Sequence, residues 1–248
     1  MKAYENIREQ LSGLRLKGMI RSLDAEVEKA ESGSLSYAAF LNNLLEAESL
    51  CRIERRYQRS MTGAHFPVEK KMDNFRYENV TGVTSKEIAQ IMEFGWLDNH
   101  CNLMIFGPPG LGKTHIAISV GIKAVEKGYT VSFERMPNLI RLLKTSEIQK
   151  TASFRLNRIL KSDLVIIDEI GYTPIDKKEA NLFFNLVSEL YEKKSVVITS
   201  NKGFEEWAEM MGDPVMTSAL LDRLLHHARI LNLTGQSYRI QNSIKEVK

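Results

Sequence analysis

The stretch Gly107, Pro108, Pro109, Gly110, Leu111, Gly112, Lys113, Thr114 sets two glycines five residues apart and follows the second with a lysine and a hydroxyl residue. Glycines let a backbone curl until its N–H groups converge on an anion. A lysine ammonium then reaches the β- and γ-phosphates of a nucleotide, and a threonine hydroxyl ligates Mg²⁺. The spacing predicts a loop that cradles a nucleoside triphosphate. Further along, LVIIDE (164–169) is an apolar run closed by two acids. At the end of a buried strand Asp168 is placed to hold the Mg²⁺ through water, and Glu169 to polarise the water that attacks the γ-phosphate. Their plainer reading is a carboxylate pair in a turn. A third polar cluster, Thr199, Ser200 and Asn201, closes VVITSN. The Asn201 amide either orients that water, touches the γ-phosphate, or merely starts the turn Asn201–Lys202–Gly203.

Such groups act together only if strands and helices deliver them to one place. From about residue 100, short apolar runs alternate with helical periods, the pattern of βαβ units around a parallel sheet. Strands are expected at 103–106, 130–133, 164–168, 196–200 and, more weakly, 230–233, with helices at 113–127, 137–145, 177–192 and 215–227. The phosphate loop thus follows a strand and opens a helix, as its mechanics demand. Residues 1 to about 60 read as helix throughout, since Ile7, Leu11, Leu14, Ile20, Leu23, Val27, Tyr37, Phe40, Leu41, Leu44 and Leu45 recur three and four apart. Gly33 and Ser34 interrupt the run, and Ser34 or Ser36 suits the N-cap of the next helix. The boundary is expected near 62–75, dividing a helical N-terminal domain, 1–72, from an α/β domain, 73–248.

With 43% hydrophobic and 26% charged residues in 248, the chain is an ordinary globular protein. Cys51 and Cys101 stand alone, so neither a zinc cluster nor a disulfide framework is readable. The charged start and the absence of a long apolar run predict a cytoplasmic protein without a membrane partner. Net charge is only +3, from 34 basic and 31 acidic residues. That sum hides a cluster. Residues 135–161 hold Arg135, Arg141, Lys144, Lys150, Arg155, Arg158 and Lys161 against the single acid Glu147, a net +6. Arg52, Arg55, Arg56 and Arg59 fall on one side of a helix at 100° per residue. Either set is a solvated face or a track for phosphates. Phe154 is the one aromatic in 135–161, which favours duplex backbone contact over base stacking.

Phosphate loop, Asp-Glu strand and strand-end Asn, in this order, resemble the AAA+ ATPases of the initiator and helicase-loader clade. The segments LKGMIRSLDAEVEKA, LSYAAFLNNLLEAES, RIERRYQR, GPPGLGKTHIAISVG, IIDEIGYTP, ITSNKGFEEW and LLDRLLHHARILNLTGQSYR narrow this to the IstB family of transposition helper ATPases, related to the helicase loader DnaC. The resemblance implies an AAA+ domain with a five-stranded parallel sheet and no C-terminal lid, using ATP and Mg²⁺. It makes Asn201 a first sensor and Arg223 an arginine finger acting on the neighbouring subunit of a homo-oligomer. Arg239 becomes a candidate second sensor, and residues 135–161 become the clade's extra helix along the path of DNA. The implied activity is hydrolysis of ATP to ADP and phosphate by an oligomer that engages target DNA and recruits or stimulates a transposase. The Arg52–Arg59 stripe would grip DNA or dock that transposase. The alternative is a DnaC-like loader of a replicative helicase. A small-molecule kinase fits poorly, because it would not need a carboxylate poised for water. Phe75, Tyr77 and Val80 are expected either in the adenine pocket or in the core, and His226 and His227 at an interface or the surface.

Overall fold

A computed structural model describes residues 2–238, as two compact units that divide between Arg59 and Ser60. The first contains α1 (Lys2–Gly13), α2 (Lys17–Glu31) and most of α3 (Tyr37–Ala64). Its core is small: Met19, Leu23 and Leu44 are buried, with Tyr4, Leu11, Leu16, Val27 and Phe40 packed around them. The Ser36 hydroxyl accepts from the Ala39 amide at 3.2 Å and so starts α3.

The start of α2 is satisfied from a distance. Leu16 at its N-cap has no side chain able to accept a hydrogen bond. The buried Glu48 carboxylate accepts from the Gly18 amide at 2.7 Å and the Met19 amide at 3.4 Å, and pairs with Arg52 at 2.8 Å. Burial disfavours the Glu48 charge, but the hydrogen bonds from Arg52, Gly18 and Met19 outweigh it and hold the carboxyl below its ordinary range. Glu48→Gln is therefore expected to lower the stability of the first unit by about 2 kcal/mol at pH 7, measured as a shift in the denaturant midpoint of helical ellipticity. Because the folded pKa is depressed, Glu48 contributes fully above the unfolded value near pH ~4.3. The difference between variant and parent should shrink as pH falls through the lower folded value.

The second unit adds β1 (Val80–Thr81), α4 (Ser85–Ile91), α5 (Gly95–Asp98), β2 (Asn102–Phe106), α6 (Lys113–Glu126), β3 (Val131–Arg135), α7 (Met136–Thr145) and α8 (Lys150–Lys161). It continues with β4 (Leu164–Ile170), α9 (Lys177–Leu190), β5 (Ser195–Ser200), α10 (Phe204–Met211), α11 (Pro214–Leu225), β6 (Ala228–Asn232) and β7 (Thr234–Gly235). Five strands form the expected parallel sheet in the order β3-β4-β5-β2-β6. β2 and β5 are buried along their whole length, as continuous apolar strands covered on both faces must be. Each expected strand is present within two residues. Helices α4, α5, α8 and α10 lie outside the helical ranges expected from periodicity, and in α10 the Glu206 carboxylate accepts from the Gly203 amide at 3.0 Å. Trp96 packs in the core, its indole N–H donating to Ile91 O at 2.8 Å.

The division lies upstream of the expected residue 72. Residues just after Arg59 belong to the second unit for a physical reason. The Arg155 guanidinium donates to the carbonyls of Gly63 at 2.9 Å and Ala64 at 3.5 Å, ending α3, and Phe66 packs on Phe133 with ring centroids 6.2 Å apart. No helix among the described residues is long and apolar enough to cross a membrane.

Candidate functional site

The C-terminal ends of β3, β4 and β5 and the loop that follows β2 line a cleft of about 630 Å³, where ligands of open α/β sheets collect. The phosphate loop leaves β2 and ends in α6. Gly107 has φ 140°, and a Cβ there would lie 2.2 Å from Leu233 O; Gly112 has φ 87°, and a Cβ there would lie 2.6 Å from the Phe75 ring. Only glycine meets both conditions. Lys113 Nζ donates to the carbonyls of Gly107 at 2.6 Å and Pro108 at 2.9 Å, so the ammonium is already folded into the loop.

The two acids sit in an irregularity of the sheet. Ile167 pairs with Ile198 but Ile170 with Ser200, so β4 carries one extra residue against β5 at Asp168 and Glu169. Such a bulge re-aims side chains. Glu169 takes φ 66°, and its amide donates to Thr199 Oγ1 at 3.0 Å instead of to the strand ladder. The same Thr199 hydroxyl donates to Asp168 Oδ1 at 2.6 Å, and Thr114 Oγ1 donates to that oxygen at 2.8 Å. Asp168 is completely buried, and its Oδ2 has no hydrogen-bond partner. Glu169, on the cleft wall, faces the Arg135 guanidinium at 3.6 Å. Asn201 also lines the cleft, with a buried Oδ1 lacking a partner.

The structure therefore brings together Gly110 to Thr114, Asp168, Glu169 and Asn201, which sequence spacing had grouped. It gives Thr199, in sequence only one member of a polar cluster, the role of bridging both acids, and adds Arg135, which had been counted only as part of the basic segment. A hydroxyl two residues before Asn201, at the tip of a strand neighbouring the Asp-Glu strand, was the available signal for Thr199. Phe75 and Val80 line the cleft. Tyr77 does not; it stands edge-on behind Phe75 with centroids 4.9 Å apart, and burial pushes its phenol pKa up. A hydroxyl and a carboxylate are hard oxygen donors, and the unpartnered Asp168 Oδ2 lies on the carboxylate that Thr114 contacts, so this set fits Mg²⁺.

Arg223 lies elsewhere. On α11 it donates to Ala219 O at 3.1 Å and sits 4.6 Å over the Phe184 ring, and it is not among the residues lining the cleft. Its neighbours His226 and His227 are exposed, as expected, with ring centroids 4.1 Å apart and the rings tilted by 54°. Arg239 lies outside the described residues.

The basic positions divide into two kinds. Arg155 is corrected: it is buried, paired with Glu134 at 2.6 Å, and donates to the carbonyls of Gly63, Ala64 and Phe133, so its guanidinium is used up inside the protein. Arg158 is half-buried with its guanidinium laid against Gly63. Arg141, Lys144 and Lys150 are exposed, Lys144 paired with Glu179 at 2.8 Å. Of the α3 stripe, Arg52, Arg56 and Arg59 are exposed and Arg55 half-buried, with Arg52 held by Glu48.

Comparison with known proteins gives a consistent result. The family model described as IstB-like ATP binding protein matches residues 9–246. An insertion sequence IS21 ATP-binding protein of Pseudomonas aeruginosa is 36% identical over 95% of this chain and 89% of its own length. An insertion sequence IS5376 ATP-binding protein of Geobacillus stearothermophilus is 36% identical, covering 96% and 94%. Among solved structures, DnaI has a TM-score of 0.57 at 17% identity, covering 66% of this chain and 91% of that one. The DnaC helicase loader has 0.51 at 20%, covering 60% and 87%. At these identities the structural likeness establishes the fold, an AAA+ P-loop domain preceded by helices.

Proposed function

The chain belongs to the IstB-like ATP-binding protein family, and we propose that it is a Mg²⁺-dependent ATPase that assembles with ATP on duplex DNA and recruits or stimulates a transposase. One observation carries the enzymatic part: part of a phosphate loop, a glutamate and a strand-end asparagine line one cleft, and a buried aspartate is hydrogen-bonded to the loop's Thr114. Backbone N–H groups of 107–112 and the N-terminus of α6 bind the phosphates, and Lys113 turns from the loop carbonyls to the β- and γ-oxygens. Thr114 and Asp168 would hold a Mg²⁺, which when bound neutralises charge on those oxygens. Thr199 fixes the Asp168 carboxylate and the Glu169 backbone together, so the two acids keep their separation. Glu169 takes a proton from a water as its oxygen attacks the γ-phosphorus; the bond to the β–γ bridging oxygen breaks, and ADP and phosphate leave. Asn201 orients that water, and Arg223 of one copy faces the γ-phosphate held by the next.

Support for the DNA part is the exposed set Arg141, Lys144 and Lys150 in a segment of net +6, with Arg56 and Arg59 in the first unit as a second set. The names of the relatives at 36% identity place those proteins in insertion sequences. The helicase-loader reading rests on likenesses of 17–20% identity, which speak to fold alone. Electron microscopy with ATP and duplex DNA tests the whole: ordered oligomers around DNA are expected, and monomers on bare DNA would overturn the assembly. A pull-down recovering a replicative helicase instead of a transposase would overturn the partner. Lys113→Ala is expected to bind ATP roughly ten- to a hundredfold more weakly and to form no ATP-dependent assemblies, measured by nucleotide titration and sedimentation. Unchanged affinity would refute the loop assignment.

A further inference from the structure

Helix α8 buries Ala152, Arg155 and Ile159, which leaves Lys150, Phe154, Asn157 and Lys161 exposed on its other side. Their spacing of four, three and four residues sets them on a single stripe about 16 Å long. Phe154 is 75% exposed, and Ile148, in the turn before the helix, 86%. Apolar side chains held out into water inside the most cationic segment of the chain point to a partner that offers both a polyanionic edge and an apolar interior. Duplex DNA offers phosphate walls and stacked bases. An acidic protein surface would match the lysines but not account for a lone ring between them.

Resting on the proposed engagement of duplex DNA, we infer that this stripe enters the minor groove. Phe154 wedges between adjacent base pairs, Asn157 hydrogen-bonds to the acceptors on the groove floor, and Lys150 and Lys161 take phosphates on its walls. The wedge unstacks one base step, and that cost is lowest at flexible pyrimidine–purine steps. Target choice then follows mainly from deformability, with TA and CA/TG steps favoured, while the one direct base contact, from Asn157, distinguishes at most A·T from G·C.

The test uses the full chain with ATP and duplexes carrying 2-aminopurine beside a central TA step, or a GC step in the same flanks. The parent chain is expected to raise the 2-aminopurine emission and to bind the TA duplex several-fold more tightly. Phe154→Ala should lose the emission change and bind about tenfold more weakly, with the salt slope unaltered. Phe154→Trp should keep both. Lys150→Ala and Lys161→Ala should each lower the salt slope by about 0.9 while keeping the emission change. Parental affinity and emission in Phe154→Ala would overturn the wedge and leave DNA binding standing. Absence of duplex binding by the parent chain would overturn the DNA reading itself. Loss of ATP-dependent assembly by Phe154→Ala without DNA would assign the ring to contact between copies and also overturn the wedge.

Discussion

Glu169→Gln is expected to bind ATP as tightly as the parent chain and to hydrolyse it at least about a hundredfold more slowly. The amide has the shape of the carboxylate but does not take a proton from water. Its position is set by the backbone, because the bulge and the Thr199 hydrogen bond to the Glu169 amide involve no atom of the Glu169 side chain. The substitution should therefore leave the cleft intact and separate binding from turnover. Arg135 would lose its anionic neighbour at 3.6 Å, a surface pair whose contribution to stability is small. Phosphate release and binding of a fluorescent nucleotide, measured on the same preparation, check both halves. A variant that releases phosphate at the parental rate would remove Glu169 from the reaction.

Arg223→Ala should bind ATP normally and lose about a thousandfold in turnover, the size of effect seen when a guanidinium is withdrawn from a transferring phosphoryl group. The side chain is half-buried over Phe184 on α11 and lies outside its own chain's cleft, so its proposed phosphate belongs to a neighbour. Complementation reads this directly. In a mixture of Arg223→Ala and Glu169→Gln chains, one type of interface joins an intact Glu169 to an intact Arg223. Activity should reappear on mixing two inactive preparations, and continued inactivity would exclude action between subunits. Lysine at this position is expected to rescue poorly, since it lacks the planar fork.

The candidate cleft was largely legible because its parts are short contiguous motifs: Gly107 to Thr114 is one loop, and Asp168 and Glu169 are adjacent. Strand positions followed from apolar runs that must be buried on both faces. What sequence could not supply was pairing across distance. Arg155 looks like any other cation in its run; only the fold places Glu134, the helix-end carbonyls of Gly63 and Ala64, and the strand carbonyl of Phe133 around it. The partnership of Arg135 with Glu169 is hidden for the same reason, since it depends on β3 lying beside β4. The boundary was expected downstream of the division because the helix break follows Ala64, whereas the units divide inside α3, where the pattern shows no break. Phe154, as the one aromatic in 135–161, was read only as favouring duplex backbone contact over base stacking; its weight comes from exposure, which composition does not report.

The Arg155–Glu134 pair also gathers three segments at one point. Arg155 belongs to the helix that carries Phe154, and Glu134 to the strand whose next residue, Arg135, faces Glu169. The same guanidinium holds the last carbonyls of α3 at Gly63 and Ala64. Removing either member of the pair strands a buried charge, so a change there is expected to loosen helix, strand and helix end together, at a junction one residue from the guanidinium that faces Glu169.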